Sequence, residues 1–416
     1  MNATILNSLM DPAGAPAHPV LFLVLGVVTF ALHMAAVNLM LGTLGVSLWG
    51  ARSANPYAQR LTHTLMMTAK VAVGFAVVLG VAPLLFVQVI YDGFWYVSNV
   101  LSAWWLVIFV LVLIVAYLSL YRAYDLNHSY GEDGVATPVH GAVKGCGWLL
   151  VAFVLLLLCG LVMHALTNQA LFPKEWMAWY APNGVVNPDG RSLHYTLLPR
   201  LAFFLALSLP VTAGWLYGLR RYLINAGETD VGYFDFLEGL AHKLALVGGV
   251  LVALFAILWM VMLPADMAWF RTSIWAVIGV VPLLYFLAMA AIQKKRRLCI
   301  PCNYMGFAMS VVMVMVLAAL REVLRYGTLM RAYGWNALDY PFHMDWPTTI
   351  VFFTTFLVIG ACNIAYLVTL AWQSGKLGKD EVYTPGPTVN LLGRLSVLSL
   401  VAWVVGYFVV GALTVA

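Results

Sequence analysis

Ten apolar stretches, each long enough to cross a bilayer, fill most of this chain, and nothing else in it limits the fold as strongly. In hydrocarbon every backbone N–H and C=O must find its partner inside the protein, so such a chain forms helices or a closed barrel. The alternating segments of a barrel are absent, which leaves helices. Apolar runs place the spans at about 20–49, 64–91, 99–121, 143–168, 197–223, 241–263, 270–292, 303–326, 347–372 and 391–413. Only 9% of the 416 residues are charged, against roughly a quarter in soluble domains, and mean hydropathy is +0.90. The expected fold is an all-α integral membrane protein, a single bundle of about ten transmembrane helices over residues 1–416.

Connections are short apart from about 28 residues between the fourth and fifth spans. The opening MNATILNSLMDPAGAPAHP lacks a basic n-region and a cleavage site, so the first span is expected to direct insertion itself. Basic residues set the orientation. Arg52, Arg60, Arg122, Lys144, Arg220, Arg221, Lys243, the run Lys294-Lys295-Arg296-Arg297, Lys376, Lys379 and Arg394 border the loops that follow odd-numbered spans. The other side holds few, such as Lys174, Arg191, Arg271 and Arg331. The positive-inside rule then predicts a multi-pass protein of the inner (cytoplasmic) membrane with both termini periplasmic. The net charge of +5 follows from this topology and does not argue for nucleic acid.

Ionisable groups inside the spans are where function is sought, because each is costly in lipid. His33 lies midway along the first span (TFALHMAAVNLMLG) and Glu322 in the eighth (LAALREVLRYG). A histidine and a carboxylate in separate membrane helices suit binding an iron porphyrin or passing protons. A helix-packing hydrogen bond is the plainer role for His33. In RExxR, Glu322 and Arg325 share a helix face at i, i+3, either as an intrahelical salt bridge or as an anionic ligand with a cation beside it for a propionate. Lys70 in MTAKVAVGF calls for a carboxylate, a carbonyl or a propionate, or else snorkels to the surface.

His63, His140 and His242 lie near cytoplasmic helix ends, where capping or solvated roles are the default, whereas His164 and His194 lie toward the other side and either could ligate. Cys299-Ile-Pro-Cys302 is a CxxC with no following His, so it is not a c-type haem attachment, and no second CxxC completes a zinc site. It is read as free thiols at a helix entrance or as a metal or redox pair. The Trp/Tyr-rich LFPKEWMAWYAP and DGFWYVSNVLSAWW are expected to form an interfacial belt, with a docking surface as the alternative.

These motifs, in their order, resemble the large, haem-bearing subunit of cytochrome bd oxidases. The first two spans read FALHMAAVNLMLGTLGVSLWG…YAQRLTHTLMMTAKVAVGFAVVLGV, like that family's His-bearing and Lys-bearing first helices. LVMHALTNQALFPKEW…LLPRLAFFLALSLPVTAGWLYGL follows its fourth helix, outer segment and Arg-led fifth helix, and REVLR its Glu-x-x-Arg. The likeness runs over roughly 20–326, with 347–372 and 391–413 as additional helices. It implies His33 and Glu322 as iron ligands of neighbouring haems b, one or two per chain, with Arg325 and Lys70 at propionates or in supporting contacts.

The departures carry as much. Phe203 and Ser273 stand where the family has the His and Met that hold its low-spin haem, and a phenyl ring cannot bind iron. The connection LPADMAW between the sixth and seventh spans is far too short for a quinol loop, so a quinol site of the usual type is not expected. Gln88 replaces a glutamate and cannot relay a proton. The resemblance thus implies a b-type-haem electron-transfer subunit of a respiratory complex, exchanging electrons with a periplasmic c-type cytochrome and assembled with other membrane subunits. An oxidase-like catalytic subunit reducing O2 or another small oxidant, and a haem-free scaffold or proton-coupled transporter, are the alternatives.

Overall fold

A computed structural model of the chain describes residues 6–12, 14–130, 136–138, 142–295, 302–344, 346–375 and 383–415. The first apolar run forms α1 (Pro19–Ala51), and a tight turn leads into α2 (Pro56–Ile90). Asn55 caps α2 by accepting the Tyr57 N–H at 2.9 Å, and Pro56, which has no N–H to leave unpaired, takes the first helical position. A short helix, α3 (Asp92–Leu101), precedes α4 (Ala103–Asp125). Then come the paired strands β1 (His128–Tyr130) and β2 (Ala136–Pro138), antiparallel with Ser129 opposite Thr137.

The chain continues as α5 (Cys146–Gln169), the short helix α6 (Trp176–Tyr180), and the fifth span as α7 (Leu198–Ala206) followed by α8 (Ser208–Asn225). Next are α9 (Val231–Val261), α10 (Ile274–Lys295) and α11 (Cys302–Tyr333). Asp230 caps α9, accepting the Tyr233 N–H at 3.0 Å. The sixth-to-seventh connection is a 3-10 segment, Ala265–Thr272, bent 72° against α10. Arg271 closes the end of α9 by donating to the carbonyls of Met260, Val261 and Leu263 at 2.6–2.9 Å. Gly249 lets α10 close on α9, since a Cβ there would stand 2.6 Å from the Phe286 carbonyl oxygen. The ninth span is α12 (Trp346–Thr354), a π-helical turn at Thr355–Ile359 and α13 (Gly360–Ser374), and the tenth is α14 (Pro387–Val415).

Among the described residues nine helices are long and apolar enough to cross a membrane, or ten when the bent pair counts as one span. Their outward faces carry apolar side chains, Phe75, Val78, Leu118 and Val261 among them, as a protein solvated by lipid requires. This is an all-α, multi-pass membrane bundle.

Two compact groupings divide the chain. One joins the N-terminal stretch to Pro12 with Pro19–Arg221 and Asp230–Pro341; the other holds Ala13–His18, Tyr222–Thr229 and Phe342–Ala416. In the first, Asp92 at the start of α3 accepts the Tyr340 hydroxyl at 2.6 Å and the Asp11 N–H at 2.9 Å, tying three connections together. In the second, Ser396 of α14 donates to Asn363 of α13 at 2.6 Å.

Two sequence expectations change here. The two aromatic segments are not simply a belt: Phe94, Trp95 and Trp176 are buried, and the Trp176 indole donates to the Gln169 carbonyl at 3.0 Å, while Tyr96, Trp104 and Met177 stay exposed. A ten-residue helix and a hairpin are too short to leave a mark in span-length hydropathy, so α3 and the β pair went unforeseen. His140, Arg296, Arg297, Cys299, Lys376 and Lys379 lie outside the described residues.

Candidate functional site

A cavity of ≈ 340 Å3 opens within the first grouping, walled by α1, α2, α4, α5, α7 and α11. That volume falls in the range of small-molecule and cofactor pockets. Its lining is mostly aliphatic and aromatic and takes in two histidines, three guanidiniums and one carboxylate: His33, His164, Arg200, Arg321, Arg325 and Glu322. Helical register brings them together. His33 and Phe30 lie one turn apart on α1, while Arg321, Glu322 and Arg325 share a turn of α11.

The His33 ring packs on Gly80 of α2, where a Cβ would come within 2.9 Å of Cε1 and Nδ1, so only glycine leaves room for it. Its Nδ1 sits 2.8 Å from the Ala76 carbonyl oxygen. A carbonyl only accepts, so the proton resides on Nδ1 and Nε2 keeps its lone pair. A histidine oriented by a carbonyl through one nitrogen, with the other free, is the arrangement of a metal-ligating imidazole.

Glu322 is held more tightly. Its Oε2 accepts Arg325 Nη2 at 2.5 Å, and its Oε1 accepts Arg325 Nε at 3.3 Å and the Tyr91 hydroxyl at 2.7 Å. The Arg325 guanidinium also covers the Tyr91 ring, 4.0 Å from its centroid. These three bonds use most of the roughly four lone-pair directions of a carboxylate. Tyr91 carried no signal in the sequence because a tyrosine at the last residue of a span, just before an aromatic stretch, reads as an interfacial ring.

His164 lines the cavity with both ring nitrogens engaged. Nε2 meets the Leu197 N–H at 3.2 Å and Asn168 Nδ2 at 2.9 Å, and Nδ1 meets Arg200 Nη1 at 3.2 Å. It fastens α5 to the start of α7 and offers no free lone pair. Arg200 and Arg321 are cavity residues to which the sequence reading gave no role. The signal for both was present: a guanidinium inside an apolar span is a functional candidate by default.

Two candidates lie elsewhere. Lys70 stands on the α4 side of α2 with its ammonium 3.7 Å from the Tyr124 centroid and 5.0 Å from that of Tyr121. Ten residues before Gly80, it is about 15 Å down the helix axis from the His33 contact, and it is absent from the cavity lining, which on α2 begins at Val73. Gln88 follows Val87, which faces the cavity, so it turns about 100° away and accepts the Tyr96 hydroxyl at 3.3 Å. His194 stacks on Trp179 with centroids 5.3 Å apart. Phe203 is buried against Trp259 at 5.5 Å, and the Ser273 hydroxyl donates to the Phe270 carbonyl at 2.7 Å. Cys146, Cys159 and Cys362 are free thiols. Among the described residues no group of three or more His, Cys, Asp or Glu side chains converges on a bare metal ion.

No protein-family model matches the chain, and no curated protein matches it in sequence. Among solved structures it is similar to a chain of the bd oxidase from Geobacillus thermodenitrificans, with a TM-score of 0.61 at 13% identity over 87% of this chain and 99% of that one. At that identity the likeness extends to the fold: this chain is a membrane helical bundle of the bd-oxidase type.

Proposed function

We propose that this chain is a b-type-haem-binding electron-transfer subunit of a respiratory complex in the inner membrane. In this reading it holds one or two haems b, is assembled with other membrane subunits, and exchanges electrons with a c-type cytochrome on the periplasmic side, where both termini lie. The single observation that carries the reading is His33: its Nδ1 is committed to the Ala76 carbonyl, and its Nε2 lone pair is left at the wall of an apolar chamber. That donor fits porphyrin iron, and a bare metal ion would need more ligands than the chamber brings together. A bound haem would supply one-electron chemistry.

The chain's own residues do the rest. Gly80 and Ala76 fix the plane of the imidazole, and the aliphatic and aromatic lining excludes water and lowers the local dielectric. Glu322 supplies a fixed negative charge, with one lone-pair direction left for a second haem iron. Arg325 and Tyr91 hold that carboxylate in one rotamer. Tyr91 in turn lies 5.2 Å, centroid to centroid, from the buried Trp335, which follows α11, so an aromatic pair backs the carboxylate from behind the chamber wall.

The purified protein should show a reduced-minus-oxidised b-type spectrum with non-covalent haem, and reduced c-type cytochrome should reduce it. A protein free of chromophore after gentle purification would sink the reading and leave the scaffold or transporter. One observation favours the oxidase-like alternative. With Glu322 engaged by Arg325 and Tyr91 and both His164 nitrogens engaged, His33 is the lining histidine with a free ring nitrogen, and a haem it held would supply a reactive centre for a small oxidant. A carbon monoxide shift of the reduced spectrum would select it.

A further inference from the structure

Charge and hydrogen-bonding capacity are out of balance on one wall of the cavity. Three guanidiniums face it and Glu322 is the single carboxylate in its lining. Arg325 takes that carboxylate. Arg321 has no ion pair or hydrogen bond among the described residues, its guanidinium lying 4.1 Å from the Phe30 ring centroid. Arg200, also without a carboxylate, gives Nη1 to Asn168 Oδ1 at 3.0 Å and turns the same nitrogen toward His164 Nδ1.

His164 makes the surplus plainer. A neutral imidazole carries one N–H and accepts at its other nitrogen alone, yet N–H donors face both of them. This wall therefore holds more donors than acceptors. A second void of ≈ 20 Å3, with space for about one water, lies beside the first and shares Arg200, Arg321 and Arg325 with it. Guanidiniums inside apolar spans with no carboxylate bonded to them are costly, and two of them on one wall call for an anion.

We infer that Arg200 and Arg321 form a site for the two carboxylate arms of the tetrapyrrole that His33 holds, an assignment that rests on the haem reading above. The geometry favours an amphiphilic occupant over a free inorganic ion. Phe30 carries Arg321 on its face and lies one turn from His33, and Phe204 stands 5.5 Å from the Arg200 guanidinium, so each cation borders a flat apolar surface. Two cations match two carboxylates, and charge-assisted hydrogen bonds from guanidinium forks are well suited to such groups.

The test compares haem with its dimethyl ester, which keeps the ring and iron and lacks both negative charges. Full-length protein, stripped of tetrapyrrole and reloaded, is titrated with each by absorbance. The ester should bind the wild type about 10- to 100-fold more weakly, the span of one or two charged hydrogen bonds. Arg321→Gln and Arg200→Gln should weaken haem and leave the ester unchanged, narrowing the gap. Should either variant fail to fold, the wild-type comparison decides alone. Equal binding of both forms, with His33→Ala abolishing both, would overturn this inference and spare the haem reading. Equal binding with a nitrate-dependent Soret shift that Arg321→Gln removes would give the site to a free anion, also against the assignment. No binding of either form would overturn the haem reading, and this inference with it.

Discussion

Two stretches of α2, around Lys70 and around Gly80, are made of similar parts and differ in the space left beside them. Around Lys70 the polar and aromatic groups are packed solid. The ammonium lies on Tyr124 and Tyr121, Tyr124 stacks on His128 with centroids 3.9 Å apart, and Asn127 exchanges bonds with both backbone groups of Lys144. Around Gly80 the same helix gives up a side chain, the His33 ring moves into the gap, and a chamber opens whose guanidiniums outnumber its carboxylates. A cation in an apolar span that packs against rings stabilises the bundle; one that faces a cavity points to a ligand. The sequence treats Lys70 and Arg321 alike, as charges in apolar runs, and only packing separates them.

Four changes sharpen or break that contrast. The largest effect is expected from Glu322→Ala, which leaves Arg325 buried without its partner; breaking such a pair costs about 3–5 kcal/mol. Thermal unfolding in detergent reads the loss, and Glu322→Gln should lose less because it keeps the shape and one acceptor. An unchanged midpoint in Glu322→Ala would mean that the pair is solvated and the chamber is not apolar.

Gly80→Ala comes next. The new Cβ would press on the His33 ring at 2.9 Å, an overpacking of about 1–3 kcal/mol, and turning the imidazole should lower haem affinity by about tenfold. Titration with haem checks it, and undiminished affinity would separate His33 from the iron.

Lys70→Met should act at the packed stretch alone, costing about 0.5–2 kcal/mol of cation–π stabilisation and leaving haem content unchanged. Haem loss in that variant would erase the contrast between the two stretches.

The smallest effect concerns His128, in β1 outside the spans. Burial is the main cause that holds its pKa below the usual 6.5, with the Lys70 charge adding to it against a bond to the Tyr124 carbonyl. Below that value the unfolded chain binds the proton more readily than the folded one. The contribution is therefore complete above about pH 6.5 and is lost as the pH falls from there through the lower pKa of the folded state. Melting temperatures measured from pH 7.5 to 5 should drop more for the wild type than for His128→Gln; parallel curves would refute the shift.

Much of the fold was readable in the chain, because a membrane span announces itself through length and apolarity: each of the ten runs became a helix or a bent pair of helices. What was missed is shorter than a bilayer is thick, namely α3, the β pair and the break between α7 and α8. For the site, the cost of charge in lipid singled out His33, Glu322 and Arg325, and His164 was a further possible ligand; that the four line one cavity is visible only in the structure. The sequence does not tell that Gln88 turns away by one helical step, nor that Lys70 sits about 15 Å from the His33 contact. Tyr91 and the spare acceptors of Glu322 depend on side-chain geometry between distant helices, and no spacing along one helix encodes that.

The central claim is that the His33 chamber holds a haem, and pyridine haemochrome quantification of the wild type beside His33→Ala and Lys70→Met tests it most directly. The account predicts bound haem b in the wild type and in Lys70→Met, and its loss, or loss of one haem if two are present, in His33→Ala. Equal haem in all three proteins, or none in any, would contradict it.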